Sequence, residues 1–171
     1  MSLLNLPPSR LSALLCTTSI CLLAIGLYLQ HAQGLQPCPM CIVQRYALAF
    51  VAVSSGLAAV SERKFFKAGF MLLVLASAVF GAFVAARQSW LQWYPPEVAT
   101  CGRDFYSMIE LFPLSRLVPL IFQGSGDCSK VDWTFLSLSI ANWSFLCFAA
   151  ITMLAAGLLV RVAFWSKPSD S

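Results

Sequence analysis

The chain has 171 residues, of which 59% are hydrophobic and 11% are charged, and its mean hydropathy is +0.78. A soluble domain carries about 25% charged residues, so the composition excludes an ordinary soluble enzyme and indicates an integral membrane protein. The formal net charge of +4 accompanies no basic stripe or nucleic-acid-binding motif, and we therefore expect no nucleic-acid partner. We expect one membrane domain over residues 1–171.

Four apolar stretches are each close to the ~20 residues that are needed to cross ~30 Å of hydrocarbon. They cover about residues 11–30, 42–60, 68–86 and 142–160, which predicts an all-α bundle of four transmembrane helices. The first stretch is followed by a possible signal-peptide cleavage sequence. However, it is longer than the apolar region of about 7–15 residues in a signal peptide, so we interpret it as a span.

The charges of the connecting segments predict how the chain is oriented in the membrane. The amino-terminal tail, the loop after the second span and the carboxy-terminal tail together carry six basic and two acidic residues. The other side's long loop, about residues 87–141, carries four basic and five acidic residues. The positive-inside rule then places both termini in the cytoplasm. It places the loops 31–41 and 87–141 outside, in the periplasm of a Gram-negative bacterium.

The second outer loop is long, and loops of this length are usually functional. It contains Pro95-Pro96, which favours an extended segment. Apolar residues then recur at i, i+3, i+4 and i+7, a pattern that predicts a short amphipathic helix on the membrane surface. These residues are Leu114, Leu117, Val118 and Ile121. Trp133 and Trp143 are expected to mark the return of the chain to the membrane.

Four of the seven cysteines lie in the outer loops: Cys38, Cys41, Cys101 and Cys128. In an oxidising compartment an even number of cysteines normally pairs. The simplest pairing is Cys38–Cys41 and Cys101–Cys128, although the sequence permits two other connectivities. Disulfides that only brace the loops stay open as an alternative, above all for Cys101–Cys128. A zinc site is disfavoured, because the chain has one C-x-x-C instead of the paired spacing that such sites prefer.

The C-x-x-C motif of Cys38 and Cys41 is typical of thiol–disulfide exchange. Arg45 follows Cys41 by four residues, so the two side chains share one helix face. A helix N-terminus and a nearby guanidinium both favour thiolate over thiol. The alternative is that Arg45 is an anchor that snorkels to the membrane surface. We favour a functional role, because an ionisable residue inside a span usually has one.

The other three cysteines, Cys16, Cys21 and Cys147, lie inside the predicted spans. Buried free cysteines usually behave as small apolar residues, so we interpret all three as packing residues. His31 ends the first span and is assigned no role.

Over nearly its whole length the chain resembles the DsbB family of disulfide bond formation proteins, which are inner-membrane oxidoreductases of bacteria. The first cysteine pair and its arginine, read as P-C-P-M-C-I-V-Q-R at residues 37–45, carry most of the resemblance. The other matching segments are Gln30-His31, Tyr94-Pro95, Ala99-Thr100-Cys101, Gly126-Asp127-Cys128 and Trp133.

The resemblance implies a chain of electron transfer from a reduced, DsbA-like periplasmic oxidase of thioredoxin fold to membrane quinone, either ubiquinone or menaquinone. In this scheme the partner's thiolate attacks Cys101, and Cys128 is the leaving group. Cys38 exchanges with Cys128, and Cys41 is the thiolate that meets the quinone ring. Arg45 steadies both the quinone and that thiolate.

The resemblance leaves one position without a role. The family's quinone site includes the region just after the third span, which here reads Arg87-Gln88-Ser89. Some relatives have a histidine in this region, so Gln88 is assigned no role.

Two other functions remain open on sequence grounds. A bundle of the quinone-epoxide-reductase kind would run electrons in the opposite direction, but its C-x-x-C tends to lie late in the bundle. A membrane scaffold would use the disulfides only to brace its loops.

Overall fold

The computed structural model describes residues 7–34, 37–94, 129–131 and 133–164. The elements are helices α1 (Pro8–Ala32), α2 (Pro39–Val60) and α3 (Lys64–Trp93), strands β1 (Thr134–Phe135) and β2 (Leu138–Ser139), and helix α4 (Ile140–Phe164). All four helices are long and apolar enough to cross a membrane. The predicted all-α membrane bundle is thereby confirmed. Cys101, Cys128 and the expected surface helix lie outside the described residues.

Proline and glycine help to set the ends of α1 and the start of α2. Pro8 and Pro39 each occupy the first turn of their helix, where the missing N–H is not needed. After α1, Gly34 adopts a φ of +62°, a left-handed conformation that is common just after a helix and that glycine adopts without strain. Cys38 then caps α2, since its sulfur accepts from the backbone N–H of Cys41 at 3.4 Å. The local sequence thus places the cysteine pair at the start of α2.

Helix α3 is longer than the span predicted at residues 68–86. It begins at Lys64 and continues to Trp93, a total of 30 residues. At 1.5 Å per residue such a helix is about 45 Å long, more than the ~30 Å of a hydrocarbon core. The polar residues that follow the apolar stretch are therefore helical, and Gln88 lies on α3 and not in a loop.

The helices pack in chain order, α1 on α2, α2 on α3 and α3 on α4, whereas α1 and α4 meet at few residues. The core between them is lined by small and apolar side chains, including the fully buried Val51, Met71 and Val74. Gly81 of α3 lies against the ring of Phe148 on α4, where a Cβ atom would overlap that ring. Small residues of this kind allow close helix approach in membranes.

A two-stranded hairpin precedes α4 and was not predicted. It pairs Thr134 with Ser139 and Phe135 with Leu138 in antiparallel register. Its turn residues, Leu136 and Ser137, have φ values of 51° and 64°. Such turns usually contain Asn-Gly or Asp-Gly, and this sequence lacks that signal.

The hairpin is attached to the helices at both sides. Trp143 in the first turn of α4 donates from Nε1 to the carbonyl oxygen of Phe135 at 3.0 Å. Ser139 Oγ donates to Gln92 Oε1 of α3 at 2.6 Å. The hairpin therefore lies at the end of the bundle where α3 ends and α4 begins.

Candidate redox site

The sulfurs of the C-x-x-C motif lie close together in the first turn of α2. Cys38 Sγ and Cys41 Sγ are 3.1 Å apart, whereas a disulfide bond is about 2.05 Å long, so the two thiols are in contact but not joined to each other. Cys38 is 5% exposed and Cys41 is half-buried. Little rearrangement is needed for this pair to pass between dithiol and disulfide.

A glutamine from α3 faces both sulfurs. Gln88 Nε2 lies 3.2 Å from Cys41 Sγ and 3.4 Å from Cys38 Sγ. The other end of this amide, Oε1, accepts a hydrogen bond of 2.7 Å from Gln44 Nε2 on α2. The two glutamines are only 4% and 6% exposed. The cysteine pair is therefore in contact with a buried amide pair that joins α2 to α3.

Arg45 reaches across to α1. Its Nη1 donates to Gln30 Oε1 at 2.5 Å, and its Nη2 donates to the carbonyl oxygen of Gly26 at 3.2 Å. The side chain is half-buried. An anchor that snorkels would extend to the membrane surface, whereas this guanidinium is held within the bundle by two acceptors on a neighbouring helix.

A cavity of about 480 Å³ lies beside the cysteine pair, between α1 and α4. Cys41, Arg45 and Gln88 line its wall, together with Phe135 and Ser139 of the hairpin. The facing helices contribute mainly apolar side chains, among them Leu22, Ile25, Leu29, Trp143 and Phe148. Sites for small organic molecules typically have volumes of about 300–1,000 Å³, apolar walls and a few polar groups. The cavity has these properties.

The structure brings together three of the five predicted site residues, Cys38, Cys41 and Arg45, around this cavity. The other two, Cys101 and Cys128, lie outside the described residues. Cys147, interpreted as a packing residue, also lines the cavity.

Three further side chains at the site were assigned no role from the sequence: Gln30, Gln44 and Gln88. The sequence signal that could have identified these glutamines is a polar amide within or next to an apolar span, because such groups need hydrogen-bond partners inside a membrane. The histidine of the first span, His31, is exposed and bonds its own helix, with Nδ1 2.9 Å from the carbonyl oxygen of Leu27.

Comparison with known proteins gives the family. The family model described as "Disulfide bond formation protein DsbB" matches residues 8–158. The chain belongs to the DsbB family. A protein named "Disulfide bond formation protein B" from Polaromonas sp. strain JS666 is 65% identical over 157 residues, covering 91% of this chain and 93% of its own. Proteins of the same name from Polaromonas naphthalenivorans and Albidiferax ferrireducens are 63% and 62% identical over 158 and 154 residues. Those alignments cover 91% and 90% of this chain and 93% and 88% of the relatives.

Membership in the DsbB family confirms the resemblance that was based on the cysteine motifs. It assigns the chain a general role in disulfide bond formation, as an oxidoreductase. The four apolar helices make this DsbB family member a multi-pass membrane protein, in keeping with a bacterial inner membrane.

Proposed function

We propose that the chain is a thiol:quinone oxidoreductase that reoxidises a DsbA-like periplasmic oxidase of thioredoxin fold and passes the electrons to membrane quinone. The observation that carries the proposal is the position of Cys41 in the wall of the cavity between α1 and α4. These two helices meet at few residues, so a lipid-soluble oxidant has a route to the sulfur from the membrane side.

The residues that line the cavity fit a quinone headgroup. The apolar side chains of α1 and α4 suit its ring and tail, and Arg45 offers a cation where negative charge would develop on a quinone oxygen. When bound, a quinone supplies an oxidant for two electrons and two protons. Cys41 is the residue that we place against the ring, with Arg45 as the quinone-binding residue.

The proposed orientation places both termini in the cytoplasm and the cysteine pair at the periplasmic face. The contacts support a single face for both outer loops. Cys41 at the start of α2 touches Gln88 near the end of α3, and Arg45 touches Gln30 near the end of α1. The start of α4 is joined to the end of α3 by Ser139 and Gln92. The loops that carry the four cysteines thus leave the bundle at the same end.

The proposed relay consists of ordinary thiol–disulfide exchanges. The partner's thiolate attacks Cys101 and releases Cys128 as a thiolate, and the partner's second thiol then releases Cys101 and closes the partner's own disulfide. Cys128 attacks Cys38 and frees Cys41 as a thiolate. Cys101 next attacks Cys128, which restores the second pair and leaves Cys38 and Cys41 reduced. This dithiol gives up two electrons and two protons and becomes a disulfide again.

The test measures turnover of the purified protein with a reduced partner of thioredoxin fold and either a ubiquinone or a menaquinone analogue. We expect quinone-dependent oxidation of the partner that is abolished by Cys41→Ser. The matched control is Cys21→Ser, the same change at an exposed position on α1 that does not line the cavity. The proposal is supported if the wild type and Cys21→Ser turn over and Cys41→Ser does not. The analogue that gives the faster turnover identifies the quinone class.

The same assay, run also with a quinone epoxide as the acceptor, tests the two competing functions. A membrane scaffold would show no turnover with any quinone, whereas a bundle of the quinone-epoxide-reductase kind would oxidise its own thiols with quinone epoxide as the acceptor. Either result would contradict the proposed function.

A further inference from the structure

The amide pair beside the cysteines has no role in the relay described above. Gln44 and Gln88 are both more than nine-tenths buried, and they lie on different helices of an apolar bundle. A buried primary amide is costly unless its donor and acceptor are both satisfied. Leu or Met at these positions would pack without that requirement. The burial of two amides in an apolar bundle therefore indicates a function for them at the cysteine pair.

The hydrogen bond between the glutamines determines which end of the Gln88 amide faces the sulfurs. Gln44 Nε2 donates to Gln88 Oε1 at 2.7 Å and so holds the oxygen end of the amide toward α2. The remaining end is Gln88 Nε2, which lies 3.2 Å from Cys41 Sγ and 3.4 Å from Cys38 Sγ. The side chain therefore presents N–H donors to both sulfurs. Its oxygen lies farther off, 3.7 Å from Cys41 Sγ, where it accepts from the thiol but offers nothing to a thiolate.

We propose that Gln88 stabilises negative charge on the Cys38–Cys41 pair by hydrogen bonding, and that Gln44 is a positioning residue that fixes the Gln88 amide for this task. A thiolate on Cys41 gains from an N–H donor at 3.2 Å, because hydrogen bonds to ionised groups are stronger than those to neutral ones. The disulfide carries no negative charge, so a hydrogen bond from Gln88 stabilises it less than it stabilises the thiolate. Gln88 therefore favours the reduced pair and makes its disulfide a stronger oxidant.

The inference rests on the proposed function in one respect, that the Cys38–Cys41 pair is redox-active. Its test is the thiol–disulfide equilibrium of this pair in the full-length protein, set by glutathione buffers in the absence of quinone and partner. Acid quenching and differential alkylation, followed by mass spectrometry, give the reduced fraction of the peptide that carries both cysteines. Quinone-dependent turnover is measured separately on the same preparations.

The main variant is Gln88→Met, which keeps an unbranched side chain of similar length but removes the amide. We expect its equilibrium constant to shift about tenfold toward the disulfide, the size expected for one hydrogen bond to a charged group. Gln88→Glu keeps the acceptor for Gln44 but turns a carboxylate oxygen toward the sulfurs. It should shift the equilibrium at least as far in the same direction.

The role of Gln44 is tested by a double-mutant cycle. Gln44→Met should shift the equilibrium in the same direction, but it should add nothing in the Gln88→Met background, because its effect passes through the Gln88 amide. The matched control is Ser89→Ala, which changes the neighbouring buried residue of α3. The Ser89 hydroxyl has no hydrogen-bond partner among the described residues. The thiol–disulfide equilibrium of the Ser89→Ala variant should equal that of the wild type.

Two outcomes would overturn the proposal: a Gln88→Met equilibrium equal to the wild type, or a Gln44→Met effect that persists at full size without the Gln88 amide. If Gln88→Met fails to fold in detergent, Gln88→Leu and the single Gln44→Met variant carry the same comparison. If the wild-type cysteine pair equilibrates with glutathione but the protein shows no turnover with quinone, the proposed function is contradicted and this inference still stands. If the wild type turns over with quinone but the Gln88 and Gln44 variants have the thiol–disulfide equilibrium of the wild type, only this inference is contradicted and the proposed function stands.

Discussion

Replacement of Arg45 by Met separates two roles that the structure allows for this side chain. The guanidinium ties α2 to α1 through Gln30 Oε1 and the carbonyl oxygen of Gly26. It also lines the cavity that we assign to quinone. Arg45→Met removes the charge and the donors but keeps an apolar stem, so both roles are lost while the packing volume is largely retained.

The expected magnitudes follow from these contacts. A hydrogen bond to a charged group contributes about 1.5–3 kcal/mol. If Arg45 donates one such bond to a quinone oxygen, its loss raises the KM for quinone about 10- to 100-fold. The loss of the tie to α1 lowers the stability of the folded protein by about 2 kcal/mol. This loss is expected whether or not quinone binds.

The assay is steady-state oxidation of the reduced partner at varied quinone concentration, with a single-turnover exchange reaction that contains no quinone. We expect the exchange at Cys101 to persist in Arg45→Met, because that step takes place in the outer loop. Arg45→Lys is the matched variant. It keeps the charge but not the planar fork of donors, so its KM should lie between those of wild type and Arg45→Met. An unchanged KM and kcat in Arg45→Met would reduce the residue to a structural tie between helices.

Three further predictions concern topology, partner contact and packing. A cysteine introduced at Ser61 should be protected from a membrane-impermeant reagent in intact cells, and labelling from outside would overturn the proposed orientation. In Cys128→Ser, a mixed disulfide with the partner should accumulate at Cys101; accumulation at the first cysteine pair instead would contradict the assigned order of exchange. Gly81→Ala should lower the free energy of unfolding by about 1–3 kcal/mol, because its Cβ overlaps an aromatic ring on α4. Gly69→Ala on the same helix has open space and should be neutral or mildly stabilising in thermal unfolding, so equal effects would refute the packing argument.

The number of membrane helices and the position of the cysteine pair were predictable, because both depend on signals that are local in the sequence. Hydropathy over about 20 residues identifies a span whatever it packs against. The first proline of α2 and the capping cysteine before it likewise act within a single turn. Helix α3 continues seven residues beyond the predicted span of residues 68–86, to Trp93, and the polar residues after the apolar stretch gave no reason to expect this continuation.

The hairpin before α4 could not be predicted from the sequence. Its turn is formed by Leu136 and Ser137, residues that rarely adopt positive φ. The bonds from Trp143 to Phe135 and from Ser139 to Gln92 hold the strands against α4 and α3. Tertiary contacts therefore favour a turn that the local sequence does not.

Local signals in the sequence predict four membrane spans and a C-x-x-C motif at the start of one of them, and they carry the resemblance to the DsbB family. Which side chains meet that motif depends on the packing of the helices. Gln88 reaches Cys41 from 47 residues away, and Gln30 reaches Arg45 from 15 residues away on another helix. Helical periodicity predicts the face on which a residue lies, but it does not specify the neighbouring helix or the rotation that brings two faces together. Those choices depend on the packing of all four helices, and they produce both the amide pair and the cavity.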